Sequence, residues 1–288
     1  MAAVVLDGRS LAADLSAKLA LRARALRDAG IAPKLAVVIA GDDASSLAYL
    51  RNLNRTAARL GIDVAVDRLP ERATAAEIRE RLENLSADRN VHGVMLQQPL
   101  PAHLSIREVS DAIAIAKDVD GTHPANQGRL LFGRAQAAYV PATPLAVMFL
   151  LERSPHWPLR GRRAVVVGRS AVVGLPVAML MLAADATVTI LHSKSGDLQP
   201  HLQAADVVVA ATGVPALIHG TDLKPGATVI DVGTTPVDGA LKGDVDFDSA
   251  AAVAGAITPV PGGVGPVTSV ALLQNVVEAA EGAGPSQR

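Results

Sequence analysis

The feature that most constrains the fold is the segment 164–181, which reads AVVVGRSAVVGLPVAMLM. The β-branched run Val165–Val167 predicts a strand buried on both faces of a parallel sheet. Gly168 permits a tight turn after that strand, and Gly174 permits close packing of the helix that follows. Amide groups at the start of such a helix face a phosphate group. The segment therefore favours a strand, turn and helix unit that binds a nucleotide.

The glycine spacing is a variant of the dinucleotide fingerprint G-x-G-x-x-G, because Ser170 stands at the middle glycine and one extra residue precedes Gly174. Taken alone, the segment also fits an ordinary α/β unit without a ligand. Three more apolar segments follow at helix-length intervals: Val188–Leu191, Asp206–Ala211 and Thr228–Val232. Four strands in this rhythm predict a Rossmann-type, doubly wound parallel sheet.

The end of the second predicted strand indicates which dinucleotide is bound. An NAD site has an acidic residue there to hold the ribose, whereas this chain has no carboxylate in 192–195. The Ser193 hydroxyl and the Lys194 cation, together with Arg169 in the first loop, suit a 2′-phosphate. Either cation considered alone is explained equally well as a solvated surface charge. Together they predict NADP.

The first half of the chain alternates strands and helices independently. Its predicted strands are Leu35–Ala40, Asp63–Leu69 and Gly93–Leu96. Its predicted helices are 10–29, Ser46–Leu60 ending at Gly61, and one that Thr74 and Glu77 cap and that runs to Ser86. A connecting helix is predicted within Pro141–Leu151. We therefore expect one α/β domain over 1–140 plus 270–288, and a second over 141–269.

Composition narrows the class of function. A chain of 288 residues with 50% hydrophobic content can form two cores. The net charge of -1 predicts neither nucleic acid nor an anionic membrane as a partner. Cysteine is absent, which fits a reducing compartment and excludes thiolate chemistry. Charges at Asp7 and Arg9 argue against a secretory signal, so we expect a cytoplasmic protein with small-molecule partners and no bound metal.

Polar residues cluster after predicted strands, where α/β proteins place their sites. These clusters are Gln97–Pro101, Lys117–Gly121 and His123–Gly128, and each alone also fits a surface turn. Later, 257–268 reads ITPVPGGVGPVT, a stiff loop with few side chains against which a flat ligand can lie.

Over nearly its full length the chain resembles the methylenetetrahydrofolate dehydrogenase/cyclohydrolase family. The matching stretches are Gly41–Asp43 with Ser46 and Tyr49, Gln97 with Pro99–Pro101, Lys117–Gly121, Val167–Ser170 with Val173, Gly174 and Pro176, Lys224–Ala227, and Ile257–Pro266. The resemblance implies two α/β domains flanking a cleft, tetrahydrofolate derivatives as substrates, NADP as the cofactor and a homodimer.

The same resemblance implies the roles of particular residues. It implies that Tyr49, Gln97 and Asp120 surround the pterin and do the chemistry. The residues that it implies beside the folate are Val260, Pro261, Gly262 and Gly263. The cofactor-binding residues predicted from it and from the loop pattern are Gly168, Arg169, Ser170, Gly174, Ser193, Lys194 and Thr234.

One departure from the family bears directly on mechanism. The family has a lysine four residues after the tyrosine, on the same helix face, and this chain has Leu53 there. Arg55 lies about 200° around the helix from Leu53 and is not deprotonated in proteins, so it is no substitute. Hydride transfer mainly requires alignment of two rings, whereas hydrolysis requires a positioned acid or base worth roughly 10²–10⁴-fold. We therefore predict oxidation of 5,10-methylenetetrahydrofolate to the methenyl compound, with hydrolysis to 10-formyltetrahydrofolate weak or lost.

Three alternatives stay open at the level of sequence. Both activities persist if Tyr49, Asp120 or an ordered water replaces the lysine. A duplicated copy could bind folate or NADP without turnover. A dehydrogenase for a related one-carbon carrier is suggested by Gln98 and Thr122, which are more polar than their family counterparts.

Overall fold

The computed structural model describes residues 3–282 and divides them into two compact α/β units. The three-stranded unit contains Asp14–Arg129, Ala135–Ala142 and the chain from Ser269 onward. The six-stranded unit contains the chain up to Ala13, Leu130–Arg134 and Thr143–Thr268. Residues 1–2 and 283–288 lie outside the described part.

The strands, in chain order, are β1 Val4–Val5, β2 Lys34–Ala40, β3 Asp63–Leu69, β4 Gly93–Leu96, β5 Arg163–Val167, β6 Thr187–Leu191, β7 Val207–Ala210, β8 Thr228–Asp231, β9 Thr235–Val237, β10 Ala240–Lys242 and β11 Ala256–Ile257. The α-helices are α1 Gly8–Asp28, α2 Ala44–Leu60, α3 Ala75–Ala87, α4 Ile106–Val109, α5 Pro124–Leu130, α6 Ala142–Leu151, α7 Gly174–Ala183, α8 Gln199–Ala204, α9 Phe247–Ala251 and α10 Val264–Gly282. Short 3₁₀ turns occupy Ser110–Ala112, Ile115–Lys117, Arg134–Gln136 and Gly220–Asp222.

The three-stranded unit has a parallel sheet in the order β3-β2-β4, and β2 is buried at its centre. Helix α2 packs through an apolar stripe with heptad-like spacing and ends at Gly61, whose φ of 71° is left-handed. Thr74 and Glu77 form the predicted capping box at the start of α3. The strands and helices predicted here are confirmed, with helix ends shifted by up to two residues.

The six-stranded unit has a parallel sheet in the order β1-β11-β8-β7-β5-β6. From β5 the chain moves to β6 on one side and then returns to β7 on the other. This reversal is the topological switch point of a doubly wound sheet, where such folds bind ligands. The Rossmann-type prediction is therefore confirmed.

Two strands of this sheet were missed by sequence reasoning. Val4 and Val5 pair with Ala256 and Ile257, so the segment up to Ala13 belongs to the six-stranded unit. The sequence instead predicts this segment in the first domain, within 1–140. Two-residue strands are too short to show a periodic pattern of apolar residues. Their pairing also joins segments that are far apart in the sequence, which a local pattern does not reveal. Within residues 3–282, no helix is long and apolar enough to cross a membrane.

Candidate functional site

The turn after β5 requires glycine at two positions. Gly168 has a φ of +120°, and a Cβ there would lie 2.1 Å from the Ala211 carbonyl oxygen. A Cβ at Gly174 would lie 2.2 Å from the Gly168 carbonyl oxygen. The start of α7 therefore sits directly against the turn, so the variant spacing still produces the close contact that the fingerprint glycines provide.

Ser170 organises the start of α7. Its Oγ accepts hydrogen bonds from the amides of Val173 and Gly174 at 3.2 and 3.3 Å, and its carbonyl accepts one from Leu175 at 3.1 Å. The sequence predicted free amides here for a phosphate, and for these three amides that prediction is wrong. A hydroxyl in place of the middle glycine caps the helix from within the chain.

An open cavity of about 460 Å³ lies at the carboxyl ends of β5, β6 and β7. Its lining residues come from the last position of β5 and from the loops after the three strands: Val167, Gly168, Arg169, Ser170, His192, Ser193, Gly196, Leu198, Ala211, Thr212, Val214 and Leu217. Arg169 supplies a cation, and this lining includes no acidic side chain. The cavity therefore suits an anionic, partly apolar ligand at the switch point.

Four of the predicted cofactor residues line this cavity, namely Gly168, Arg169, Ser170 and Ser193. Gly174 is not a lining residue, but it packs against the Gly168 carbonyl and so allows the turn that lines the cavity. Lys194 and Thr234 are exposed and are not lining residues, and the Lys194 amide donates to His192 Nδ1 at 3.1 Å.

Sequence reasoning missed Thr212, Val214 and Leu217 as lining residues. They follow β7, and the strand-end rule that drew attention to the loop after β5 applies equally to the loop after β7.

A second group of functional side chains converges in the three-stranded unit. Burial and the negative charge of Asp118 raise the pKa of Asp120 to about 7, while a hydrogen bond from the Ala142 amide opposes this shift. Burial and the charge of Asp120 raise the pKa of Tyr49, and the nearby Ser269 hydroxyl opposes that shift. The structure thus brings Tyr49 and Asp120 together, and Asp120 can exchange a proton near neutral pH.

The loop that carries Asp120 is held by Asp118, which is fully buried. Asp118 accepts hydrogen bonds from the Thr122 amide and hydroxyl at 2.9 and 3.2 Å, the His123 amide at 2.9 Å and Asn126 Nδ2 at 2.7 Å. Thr122 therefore contributes a hydrogen bond within this loop through its hydroxyl. Its polarity is explained without a different substrate.

Asn275 of α10 holds the same loop from the other side. Its Nδ2 donates to the Val119 carbonyl at 2.7 Å and to the Val140 carbonyl at 2.9 Å. Sequence reasoning missed this residue, since a lone asparagine in an apolar helix carries no signal that identifies its partners.

Gln97 follows β4 and is 7% exposed. Its Nε2 donates to the Gln98 carbonyl at 2.5 Å, and Ser46 Oγ of α2 donates to the same carbonyl at 3.2 Å. Gln97 Oε1 is buried and has no hydrogen-bond partner among the described residues. A buried acceptor left open in this way is suited to a donor group on a ligand.

Leu53 is completely buried on the stripe of α2 that faces the core, one turn after Tyr49. Arg51 and Arg55 are exposed. Neither arginine therefore lies on the buried face of α2 that carries Leu53. No side chain of this part of α2 offers a neutral base beside Tyr49.

The loop Val260–Gly263 lies in the six-stranded unit, between β11 and α10. Gly262 has a φ of +115°, and a Cβ at Gly263 would lie 2.6 Å from the Pro259 carbonyl oxygen. The backbone of this loop therefore depends on both glycines.

The doubly wound sheet and the cavity at its switch point define a two-unit α/β protein of the dinucleotide-binding class. The family model described as the tetrahydrofolate dehydrogenase/cyclohydrolase catalytic domain matches residues 6–120, and that described as the NAD(P)-binding domain matches 141–283. The chain belongs to the tetrahydrofolate dehydrogenase/cyclohydrolase family.

Individual relatives are similar over nearly the whole chain. The bifunctional protein FolD of Moorella thermoacetica is 48% identical over 97% of this chain and 99% of its own length. The Campylobacter jejuni bifunctional FolD structure has a TM-score of 0.93 at 38% identity, covering 98% of this chain and 99% of its own. The Trypanosoma brucei FolD structure, a complex with NADP and an inhibitor, has a TM-score of 0.91 at 39% identity and covers 98% of both chains.

Proposed function

We propose that this protein oxidises 5,10-methylenetetrahydrofolate to 5,10-methenyltetrahydrofolate with NADP as the hydride acceptor, and that it hydrolyses the methenyl product slowly. The observation that carries the proposal is that one chain of this family contains both a cavity suited to a dinucleotide and the Tyr49–Asp120 group.

The cavity residues fit NADP better than NAD. Gly168 lines the cavity and carries no side chain, so a pyrophosphate can approach the backbone of this turn. Arg169 and Ser193 both line the cavity and can bind a 2′-phosphate, while no carboxylate in the lining competes for a ribose. The Trypanosoma brucei relative was solved with NADP, which supports the same choice.

Bound NADP supplies the hydride acceptor, and the residues of this chain then act on the folate. Gln97 Oε1 is an open acceptor for a pterin N–H, and Asp120 can accept or share a proton there because its pKa is about 7. Tyr49 stays protonated and can donate a hydrogen bond, because its pKa is raised. These contacts orient the ring for transfer, and orientation is the main requirement of that step.

The hydrolytic step has a stricter requirement, which Leu53 does not meet. Addition of water to the methenyl carbon requires a group that takes up a proton, and an aliphatic side chain has none. The Leu53 side chain also offers no hydrogen bond, so it cannot bind a water molecule as a polar side chain would. We infer that hydrolysis is the weaker of the two activities.

A second candidate is a fully bifunctional enzyme in which Asp120 transfers the proton. It is favoured by the pKa of Asp120, which burial and Asp118 raise to about 7, and by the names of the relatives, which give both activities. An acid or base with a pKa near the working pH is an effective catalyst.

The test of both candidates measures the two steps separately in the unmodified protein. NADPH formation from 5,10-methylenetetrahydrofolate reports oxidation, and the decay of added methenyl compound reports hydrolysis. We expect rapid NADPH formation and hydrolysis close to the spontaneous rate. Hydrolysis as fast as oxidation would establish the second candidate, and no NADPH formation with any reduced folate would overturn the proposal.

The remaining inferences from the family are a homodimer in the cytoplasm and the folate contacts of Val260–Gly263. Sedimentation tests the dimer. Gly262→Ala tests the folate contacts of the loop. We expect this variant to lose affinity for folate and to keep its affinity for NADP.

A further inference from the structure

One wall of the cofactor cavity depends on contacts from elsewhere in the chain. Thr212, Val214 and Leu217, which we call the 212–217 wall, lie outside the helices and strands defined above. The segment is held by hydrogen bonds to 243–246. The Ala216 amide donates to the Gly243 carbonyl at 3.0 Å, and the Ile218 amide donates to the Asp244 carbonyl at 3.1 Å.

The side chain of Asp244 binds the start of this wall directly. Asp244 is fully buried, and its Oδ2 accepts hydrogen bonds from the Thr212 amide at 2.5 Å and the Gly213 amide at 3.0 Å. Gly233 packs against Oδ1, where a Cβ would come within 2.2 Å. Among the described residues, Oδ1 has no hydrogen-bond partner.

This arrangement is costly if its only purpose is stability. Burial of a carboxylate is unfavourable unless its oxygens are hydrogen-bonded, and half of this carboxylate lacks a partner. The carboxylate does fix the two consecutive amides of Thr212 and Gly213 beside the cavity. The geometry is therefore that of a group that holds a binding wall in place.

Asp244 is itself anchored by the end of β8. Asp231 Oδ1 accepts hydrogen bonds from the amides of Asp244 and Gly233, both at 2.9 Å, and its Oδ2 accepts one from Val245 at 3.0 Å. The Asp231 amide in turn donates to Thr258 Oγ1 at 2.8 Å. A continuous set of hydrogen bonds thus runs from Thr258, through the end of β8 and Asp244, to the 212–217 wall.

We propose that Asp244 is a positioning residue for the cofactor: it fixes the 212–217 wall and thereby sets the affinity for a phosphorylated dinucleotide. This inference rests on the proposed function, in which the cavity binds NADP. Asp244 lies behind the wall and does not line the cavity, so it acts through Thr212 and Gly213.

The first test compares Asp244→Asn with a matched variant, Asp246→Asn. Asp246 lies two residues further on, is partly exposed, and its carboxylate faces His219. Calorimetric titration with NADPH is expected to show about tenfold weaker binding for Asp244→Asn, because two charge-assisted hydrogen bonds become one or two neutral ones. Asp246→Asn should bind NADPH as the unmodified protein does, and binding of a folate analogue should be unchanged in both.

The outcomes separate this inference from the proposed function. Unmodified protein that fails to bind NADPH contradicts the assignment of the cavity. Unmodified protein that binds NADPH, with a folded Asp244→Asn variant of equal affinity, overturns the positioning role alone.

A second measurement needs no variant and decides the matter if Asp244→Asn does not fold. Hydrogen exchange of the unmodified protein is followed with and without saturating NADPH. We expect exchange to slow in 211–218 and also in 243–246, while the β3 strand, which lies in the other unit, is unaffected. Slowing confined to 211–218, or no slowing in either segment, contradicts the proposal.

Discussion

At the scale of single residues, an aliphatic side chain at position 53 has the clearest chemical consequence for the proposed function. The Leu53 side chain is fully buried one turn after Tyr49, at the position where the sequence analysis expects a lysine in the family. A lysine introduced there lies in an environment that disfavours its charged form, which lowers its pKa and leaves more of the amine neutral and able to accept a proton near neutral pH.

We therefore predict that Leu53→Lys raises methenyl hydrolysis by about 10²-fold, the lower end of the range for a positioned acid or base. Oxidation should change much less, because it depends on alignment. The measurement is the decay of added methenyl compound above the spontaneous rate. Leu53→Met is the matched control, since it keeps an aliphatic side chain of similar volume and should leave hydrolysis unchanged.

Asp120 gives a second prediction at this scale, about stability and pH. Its pKa is about 7 in the folded protein and near 3.8 in the unfolded chain, so burial disfavours the ionised form. Its contribution to the free energy of unfolding is fully present below about pH 4 and is lost as the pH rises through 7.

Asp120→Asn removes that titration. We expect urea denaturation to show that the variant gains stability relative to the unmodified protein between pH 5 and pH 8. Asp238→Asn, a change of an exposed carboxylate, should keep the original pH dependence. A constant difference between Asp120→Asn and the unmodified protein across this range would contradict the prediction.

At the scale of elements, the contact between α7 and the turn after β5 is the feature on which the cofactor cavity depends. The Gly168 carbonyl occupies the space that a Cβ at Gly174 would need. Ser170 completes the same junction by capping the start of α7 through its hydroxyl.

Gly174→Ala is expected to lower the free energy of unfolding by about 1–3 kcal/mol, the usual cost of overpacking, and to weaken NADPH binding because α7 must move away from the turn. Thermal unfolding and calorimetry measure the two effects. Gly128→Ala in α5 is the control, since nothing lies within 4 Å of its added Cβ and the position is exposed. Equal effects of the two substitutions would show that the Gly174 contact is not specific.

At the scale of the whole molecule, ligand binding to the folded state raises the free energy of unfolding. At a concentration of 100 times the dissociation constant, NADP should contribute about 2.7 kcal/mol. We predict a smaller contribution from NAD at the same concentration, because Arg169 and Ser193 then lack the 2′-phosphate.

Arg169→Ala should reduce the difference between NADP and NAD in a thermal-shift measurement. Arg163→Ala is the matched control, because this exposed arginine lies at the opposite end of β5 from the cavity. A preference for NADP that survives in Arg169→Ala would assign the discrimination to another residue.

Several features of the protein follow from the sequence alone, since they depend on interactions between near neighbours in the chain. The β5 strand and its glycine turn follow from β-branched residues and backbone sterics. The Thr74 cap follows from a side chain that bonds three residues further on. The absence of an amine beside Tyr49 needs only the identity of Leu53 and the helical repeat.

Other features were decided by tertiary packing. Asn275 holds the carbonyl of Val119 across 156 positions of sequence, and Asp244 holds the amide of Thr212 across 32. The raised pKa of Asp120 and the pairing of β1 with β11 likewise arise from groups that meet only in the folded chain. Local sequence patterns report periodicity and backbone preference, whereas these partners are selected by the burial of polar groups that must find a donor or acceptor wherever packing places one.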